Sequence, residues 1–363
     1  MAVAYIAGFE TGDASEVSSL GTGASIQSVT VRTGGYALKQ AATNTNLKNG
    51  MMSTTQSIIR VYAYFPATPA ASTGVIQEVS VAPLGRIILI YTSTGKLRVQ
   101  DNSAGMGLTT TTGATTVSAA VWHLIEMAID LAAGGVVKVW LDGVLEINVT
   151  HTTDVSASVT DRYILIGAAA TNEFFFDDIR VDSGSLAQIG HGRCIARQGL
   201  AGTPAYDAWT KNGAATAALC WSDTPFNTAT NCSDTVLNDA QTMLVEKFSV
   251  IQSGHGSEVI GGSETVNACK VAMIAKTAIA GNSDMRRRVD GVDTDTTKAL
   301  TTSDAYYDSG IFTDTAAKID AYEIGVQSLL ATLTTVEDMW MMVDYVPAAI
   351  VPIVARQYRE RRS

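Results

Sequence analysis

The sequence Gly8-Phe9-Glu10-Thr11-Gly12-Asp13 has a counterpart half-way along the chain, Glu173-Phe174-Phe175-Phe176-Asp177-Asp178-Ile179-Arg180-Val181-Asp182. Both segments combine aromatic residues with carboxylates. This pattern is expected of two strands that pair to close a β-sheet, with the rings turned inward and the acids at the rim. We therefore predict that the first half of the chain is one complete β-sandwich and that a second unit follows it.

The composition indicates a globular protein large enough for two domains. The chain has 363 residues, of which 46% are apolar and 17% are charged, and chains of this length usually divide into units that each bury a core. The formal charge of −10 repels nucleic acids and anionic membranes, so we expect no nucleic-acid partner. The sequence shows no secretory signal and no apolar run of about 20 residues, so we expect no membrane insertion.

Residues 1–183 have the pattern of consecutive short strands. Polar and apolar residues alternate along residues 25–31 and 57–65 with a period near two, and β-branched residues dominate the strands of this half. Hairpin turns are predicted at Thr94-Gly95-Lys96 and at Asp142-Gly143. The first half is therefore predicted to be an all-β domain.

The pattern changes between residues 184 and 192, where Gly, Ser and Ala dominate, and we predict a linker there. Residues 193–348 are predicted to form a second β-rich, sandwich-like module. Within this module, residues 332–338 are the only segment whose spacing could be interpreted as helical. The remaining residues, 349–363, are predicted to be an extended C-terminal arm.

The arm combines apolar residues at 350–354 with a group of arginines in an otherwise acidic chain. We predict that it docks on a neighbouring subunit, with the apolar residues in a groove and the arginines on acidic rims. The alternative is a frayed terminus, because chain ends are commonly disordered. The predicted interface residues are Arg356, Arg359, Arg361 and Arg362.

The four cysteines all lie in the second half. None belongs to a Cys-x-x-Cys pair, so the spacing does not favour a zinc site. Their even number permits two disulfides, but we favour reduced, buried thiols. The residues are Cys194, Cys220, Cys232 and Cys269.

Four motifs of the first half occur together in one known family. They are Gly8-Phe9-Glu10-x-Gly12, Trp122-His123-x-x-Glu126, Lys138-Val139-Trp140-Leu141-Asp142-Gly143 and Phe176-Asp177-Asp178-Ile179. With them the first half resembles the concanavalin A-like, laminin-G-type jelly rolls. The resemblance implies an N-terminal jelly-roll β-sandwich in which the second and third motifs form adjacent strands.

The acidic ends of this domain suggest one metal site. In several jelly-roll families, the opening Phe-Glu and the closing Asp-Asp converge on a structural calcium ion, which prefers carboxylate and carbonyl oxygens. The corresponding residues here are Glu10, Asp177 and Asp178. The alternative, which we favour, is that these acids cap edge strands and remain solvated. No other cofactor is expected.

The second half contains Trp221-Ser222-Asp223-Thr224-Pro225, Arg287-Arg288-Val289-Asp290-Gly291 and the segments 321–327 and 337–340. With these it resembles a module common in tailed-bacteriophage virion proteins. The resemblance implies a component of a phage particle, but no position on it.

Catalytic patterns are weak. Glycosidases on a similar sandwich carry alternating carboxylates on one strand, and the nearest pattern here is Glu126 with Asp130, which we interpret as part of an exposed strand. The four histidines are too scattered for a metal cluster or a catalytic triad. Aromatic residues could line a sugar-binding face, but their strand spacing favours the core; they are Tyr62, Tyr64, Trp122 and Trp140.

The function predicted from the sequence is that of a non-catalytic structural component of a tailed-phage virion, namely a tail appendage (fibre, baseplate or neck protein). Its partners would be other virion proteins and a host surface glycan, and it would form a homo-oligomer, with a trimer favoured. The alternatives are a capsid decoration protein, a glycan-degrading enzyme and a carbohydrate-binding module.

Overall fold

A computed structural model describes residues 2–41, 45–47, 54–79, 86–101, 109–152, 163–167, 173–197, 199–200, 202–214, 216–221, 230–245 and 264–347. The predicted all-β class is confirmed. In this part of the chain the only helices are α1 (Ala217–Cys220) and α2 (Ala316–Ile319), and neither is long and apolar enough to cross a membrane.

Among the described residues, fourteen strands form the first sandwich. They are β1 (Ala2–Ala7), β2 (Ser25–Gln27), β3 (Ala37–Gln40), β4 (Thr45–Asn46), β5 (Gln56–Tyr64), β6 (Thr73–Val79), β7 (Arg86–Tyr91), β8 (Lys96–Asp101), β9 (Thr111–Thr116), β10 (Trp122–Asp130), β11 (Val136–Leu141), β12 (Val144–Thr150), β13 (Tyr163–Ile166) and β14 (Phe174–Ser183).

These strands build two antiparallel sheets with one apolar core between them. Sheet 1 has the order β12-β11-β10-β5-β14-β3-β2, and β1 also pairs with β14; sheet 2 has the order β4-β13-β6-β7-β8-β9. The predicted hairpins are confirmed, since β7 pairs with β8 and β11 pairs with β12. The turn between β11 and β12 uses Asp142 and Gly143, both with positive φ (51° and 85°), as a type I′ hairpin turn requires.

The predicted closure of the first sandwich is also confirmed, because β1 and β14 are antiparallel neighbours with Ala7 opposite Ile179. Phe174 and Phe176 point into the core. A bulge then interrupts the pairing of β14 with β5 between Asp177 and Arg180, and Asp178 there has φ 50°. A bulge re-aims side chains, and here it brings several charged residues to the outer face of sheet 1.

In the described part of the second half, eleven strands form the second sandwich. They are β15 (Arg193–Arg197), β16 (Gly199–Leu200), β17 (Thr210–Asn212), β18 (Asn231–Asp234), β19 (Ala240–Val245), β20 (Thr265–Thr277), β21 (Gly281–Val289), β22 (Val292–Leu300), β23 (Ala305–Asp308), β24 (Glu323–Ser328) and β25 (Thr334–Val346). Sheet 3 has the order β17-β18-β25-β20-β23, with β15 also on β25, and sheet 4 has the order β16-β19-β24-β21-β22. A second apolar core lies between them, built around Trp209, Trp221 and Met339.

The helical interpretation of residues 332–338 is wrong, because β25 begins at Thr334. Twelve of its thirteen residues are buried. One face of the strand, including Met339 and Met341, contributes to the core of the second sandwich. The other face, including Trp340 and Met342, packs in a separate apolar cluster with Ile6 of the first sandwich. A strand that is buried on both faces loses the alternation that identifies strands in a sequence.

The two sandwiches are therefore stacked, with the outer face of sheet 1 against the outer face of sheet 3. The segment 184–192, predicted to be a linker, lies between β14 and β15. As expected, the cysteines are buried thiols; Cys194 lies in the apolar cluster between the sandwiches, and Cys220, Cys232 and Cys269 lie in the second core.

Candidate functional site

Three aromatic side chains form a row on the outer face of sheet 1. Trp122 on β10 is directly opposite Tyr64 on β5, and Tyr64 is opposite Phe175 on β14. On β5 the neighbours of Tyr64 in sequence, Ala63 and Phe65, lie in the core. Since successive strand residues point to opposite faces of a sheet, Tyr64 points outward.

The row continues to a charged pair on β3. Lys39 is opposite Phe175, and its Nζ lies 2.6 Å from Oε1 of Glu173. We refer to Trp122, Tyr64, Phe175 and Lys39 as the aromatic row. The ring of Tyr64 lies 5.6 Å from that of Trp122 and 5.9 Å from that of Phe175, and distances of this size are typical of packed aromatic pairs.

The aromatic row is partly open to solvent. Trp122 and Tyr64 are half-buried, Phe175 is 8% exposed, and the side chains of Lys39 and Glu173 are 31% and 52% exposed. The row is therefore a strip of packed aromatic side chains, two of them half-buried, with an ammonium and a carboxylate at one end. This combination can contact the C–H groups and the hydroxyls of a sugar.

The prediction that the four aromatic candidates belong to the core holds for Tyr62, which is buried, and is wrong for the other three. Tyr64, Trp122 and Trp140 are half-buried on the outer face of sheet 1. Tyr62 is fully buried, but its hydroxyl is 2.9 Å from Nδ1 of His191 in the segment that leads to the second sandwich. Strand spacing shows that these residues share a face, but not which face is covered.

Further along the same outer face, a buried ionic cluster joins the two sandwiches. The guanidinium of Arg60 on β5 binds the carboxylate of Asp344 on β25, and both side chains are completely buried. Asp344 also accepts a 3.0 Å hydrogen bond from Nη1 of Arg180, which in turn holds Asp182 through two bonds of 2.7 and 2.8 Å. We refer to Arg60, Arg180, Asp182 and Asp344 as the ionic junction.

The charges of the ionic junction are mutually compensated. Burial alone lowers the pKa of Arg60, but the neighbouring Asp344 more than reverses this, so the pKa lies above its usual value. The same holds for Arg180, where the hydrogen bonds that it donates to Asp182 and the charge of Asp344 outweigh burial, so its pKa is raised. Both arginines are therefore charged, and removing one carboxylate would leave a buried cation without its partner.

The backbones of the two sandwiches approach closely beside the ionic junction. A Cβ atom on Gly8 would lie 2.1 Å from the carbonyl oxygen of Cys194, so only glycine fits there. Lys270 of the second sandwich is buried and donates a 3.1 Å hydrogen bond to the carbonyl of Ile6. These contacts hold the end of β1 against β15 and β20.

The interpretation of Glu126 as part of an exposed strand is wrong, because Glu126 is completely buried. Its Oε1 accepts hydrogen bonds from the backbone N–H groups of Ile189 and Gly190, at 2.6 and 2.8 Å. Asp130 is bound elsewhere, by Gln56 and by the backbone of Ala132. Glu126 thus fixes the segment between the sandwiches and does not face an open cleft.

The three predicted calcium ligands lie at one end of the first sandwich, and they are buried, which corrects the favoured alternative that they remain solvated. Asp178 is bound by the guanidinium of Arg32, by the hydroxyl of Thr33 and by the backbone N–H of Cys194. This carboxylate is already neutralised and does not fit a metal ligand.

Glu10 and Asp177 differ from Asp178 in this respect. Burial and the nearby charge of Asp177 raise the pKa of Glu10 well above its usual value, and burial and the charge of Asp178 raise the pKa of Asp177. Oε1 of Glu10 has no hydrogen-bond partner among the described residues. The negative charges of two buried carboxylates that interact with each other would suit a divalent cation. Calcium binding by Glu10 and Asp177 therefore stays a prediction. The described residues contain no group of three or more His, Cys, Asp or Glu side chains that could hold a metal ion.

The described histidines do not form a triad. Nδ1 of His123 is 2.7 Å from Asp142, but its Nε2 faces the backbone carbonyl of Ser118 at 2.9 Å, where a triad would place a nucleophile. Burial lowers the pKa of His123, but the hydrogen bond and charge of Asp142 outweigh it, so the pKa is raised. His255 lies outside the described residues, as do Ser222-Asp223-Thr224-Pro225 and the arm with Arg356, Arg359, Arg361 and Arg362.

No protein-family model matches the sequence, and no curated protein matches it. Several solved structures are similar over one half of the chain. The fourth domain of AbnA, a GH43 extracellular arabinanase of Geobacillus stearothermophilus, in complex with arabinotriose, is 15% identical, with a TM-score of 0.38, and the match covers 50% of this chain and 91% of that one.

An endo-β-1,4-glucuronan lyase of Trichoderma reesei is 16% identical, with a TM-score of 0.36, over 44% of this chain and 86% of the lyase. The galectin LEC-6 of Caenorhabditis elegans is 12% identical, with a TM-score of 0.29, over 40% of this chain and 95% of the galectin. At these TM-scores, the similarities carry no argument about activity or ligand.

Proposed function

We propose that this protein is a non-catalytic, saccharide-binding β-sandwich protein and that the aromatic row is its binding surface. The observation that carries the proposal is the alignment of Trp122, Tyr64 and Phe175 across three adjacent strands, on a face that the second sandwich and the segment 184–192 cover only in part. Apolar rings are normally buried in a core or an interface. Here Trp122 and Tyr64 are only half-buried, next to the polar Lys39–Glu173 pair.

The geometry of the row suits an extended ligand. The three rings lie side by side, 5.6 and 5.9 Å apart, so a saccharide chain along the row would contact more than one ring at a time. The rings are held by a rigid sheet, so little conformational entropy is lost when a ligand binds. Lys39 Nζ can donate to sugar oxygens, and Glu173 can accept from sugar hydroxyls.

The acids of the first sandwich support binding rather than hydrolysis. A glycosidase needs two carboxyl groups that flank the scissile bond in an accessible cleft. Glu126 is buried and bound to two backbone N–H groups, and Asp130 is held by Gln56 and Ala132. Hydrolysis of any polysaccharide that is lost in a Glu126→Gln variant would refute the non-catalytic proposal.

The binding proposal is tested with a printed panel of bacterial, plant and animal glycans, followed by calorimetry with the glycan that gives the strongest signal. We expect Trp122→Ala and Tyr64→Ala each to weaken binding at least tenfold, or by about 1.4 kcal/mol. Trp140→Ala is the matched control, because Trp140 is half-buried on the same face but lies outside the row. Equal losses in the Trp122 and Trp140 variants would refute the row as the site.

We further propose the setting in which this binding occurs, a structural component of a tailed-phage virion. The support is the resemblance of the second half to virion modules, together with two sandwiches that are firmly joined, as a load-carrying appendage needs. A homotrimer would raise avidity by presenting several rows. Immunogold labelling of phage particles tests the setting, and particles that carry no label on tail or capsid would contradict it.

A further inference from the structure

A groove of about 680 Å³ crosses the polar outer face of sheet 4 in the second sandwich. This volume is within the range of small-ligand sites, roughly 300–1,000 Å³. The groove is lined by Tyr206, Asn238, Asp239, Arg286, Asp293 and Gln327, among others. It belongs to a different sandwich and a different sheet from the aromatic row.

Tyr206 is the aromatic element of the groove, and its position is fixed from several sides. Its backbone is bonded to Thr242, with distances of 3.2 Å from Tyr206 N to Thr242 Oγ1 and 3.0 Å from Thr242 N to Tyr206 O. Its hydroxyl donates a 2.7 Å hydrogen bond to Asp293. The guanidinium carbons of Arg286 and Arg288 lie 5.1 and 5.4 Å from its ring centre. The half-buried ring is thus held in place before any ligand arrives.

The polar groups around Tyr206 are planar and are held by one another. Arg286 binds Asp295 through two bonds of 2.8 and 2.7 Å and binds Oε1 of Gln327 at 2.6 Å. Arg288 binds Asp293 at 2.7 Å. A rigid set of guanidinium, amide and carboxylate groups beside an aromatic ring can recognise the hydroxyl pattern of a sugar.

The charges of the groove select against acidic ligands. Both arginines are already paired with aspartates. The lining also includes Asp207, which pairs with Lys211 at 2.5 Å, and Asp239, so carboxylates outnumber the cations that line the groove. A uronic or sialic acid would meet net negative charge, whereas a neutral sugar would not.

We propose that the Tyr206 groove is a second saccharide site, specific for neutral oligosaccharides. The inference extends the proposed function, but the residues that carry it lie in the second sandwich and are separate from the aromatic row. Two sites on two firmly joined sandwiches would let one chain contact a glycan at two points, which raises avidity without new contacts at either site.

The test uses the full chain with the Trp122→Ala substitution, so that the aromatic row no longer contributes. Calorimetric titrations are made with four neutral hexaoses (cello-, xylo-, arabino- and malto-) and with hexagalacturonate. We expect one site per chain for at least one neutral hexaose and no binding of hexagalacturonate. In the same background, Tyr206→Ala should weaken that binding at least tenfold.

A second variant protects the test against a loss that comes from misfolding. Ala208 is exposed and lines the groove, so Ala208→Trp fills the groove and removes no contact; it should also weaken binding at least tenfold, with an unchanged thermal unfolding curve. Three results would each overturn the inference. They are a Trp122→Ala chain that binds none of the neutral hexaoses, binding that neither groove variant affects, and a preference of this chain for hexagalacturonate. If the wild type and Trp122→Ala bind equally and both lose binding when Tyr206→Ala is added, the proposed groove site is supported and the proposed site at the aromatic row is refuted.

Discussion

The Asp344→Ala substitution is expected to destabilise the protein strongly, because Asp344 is the shared carboxylate of the ionic junction. Four side-chain donors lose their acceptor in this variant: Arg60, Arg180 at 3.0 Å, Asn267 at 3.0 Å and the thiol of Cys194 at 3.6 Å. Arg180 keeps its two bonds to Asp182. Among the described residues, Arg60 keeps only a 3.3 Å bond to the carbonyl of Asp178, and it becomes a buried cation that has lost the carboxylate it was paired with.

The magnitude follows from this one uncompensated charge. Removing one partner of a buried ion pair typically costs about 3–5 kcal/mol, and we expect the free energy of unfolding in urea to fall by that amount. Asp304→Ala is the control, because Asp304 pairs with Lys276 at 3.1 Å and both side chains are about one-third exposed. An exposed pair contributes about 0–1 kcal/mol.

A double variant separates the unpaired charge from a general packing loss. In Arg60→Met with Asp344→Leu, both charges are absent and two apolar side chains fill the space, so most of the loss should be recovered. A loss in Asp344→Ala no larger than in Asp304→Ala would refute the ionic junction as the link between the sandwiches. A double variant less stable than Asp344→Ala alone would refute the charge argument.

Three further predictions concern residues of the first sandwich. Because the raised pKa of Glu10 means that the folded state binds its proton more tightly, the stability from this group is present at low pH and is lost as the pH rises through the folded pKa. Glu10→Gln should therefore raise the melting temperature at pH 7 in EDTA, and a lower melting temperature would contradict the raised pKa of Glu10. If Glu10 binds calcium, millimolar calcium should stabilise the wild type but not the variant. Glu126→Ala should make residues 184–192 accessible to proteases, because Ile189 and Gly190 lose their acceptor; Glu126→Gln keeps an oxygen acceptor and should stay resistant, and equal cleavage of both variants would count against this role. Gly8→Ala should force β1 away from Cys194 and make that thiol reactive to a maleimide while Cys220, Cys232 and Cys269 stay protected; unchanged labelling would show that the close approach is not needed.

Local features of the fold could be predicted from the sequence because they depend on neighbouring residues. Asp142-Gly143 predicts its own hairpin turn, since both residues tolerate positive φ. The aromatic and acidic ends of the first sandwich predict the pairing of β1 with β14. In contrast, β22 was not predicted, because six of its nine residues are polar. Asp293 and Asp295 face Arg288 and Arg286 across the hairpin, and these ion pairs take the place of apolar packing.

The junction and the aromatic row could not be predicted, because they depend on how two sheets are stacked. Arg60 and Asp344 are 284 residues apart, and no local pattern relates them. Strand alternation places Tyr64 and Tyr62 on one face, but the second sandwich and the segment 184–192 cover only part of that face. For the same reason the role of Glu126 could not be predicted. It was interpreted as an exposed acid, but it is buried and binds the backbone of Ile189 and Gly190.

The most direct test of saccharide binding at the aromatic row is an NMR titration that follows the indole N–H signals. The chain has five tryptophans, and single Trp→Phe variants assign the signals of Trp122 and Trp140. We predict that the glycan selected from the panel shifts the Trp122 signal in a saturable way and leaves the signals of Trp140 and of the buried Trp209, Trp221 and Trp340 unchanged. A saturable shift of Trp140 with a stationary Trp122 signal, or no shift at any tryptophan at a glycan concentration that saturates binding, would contradict it.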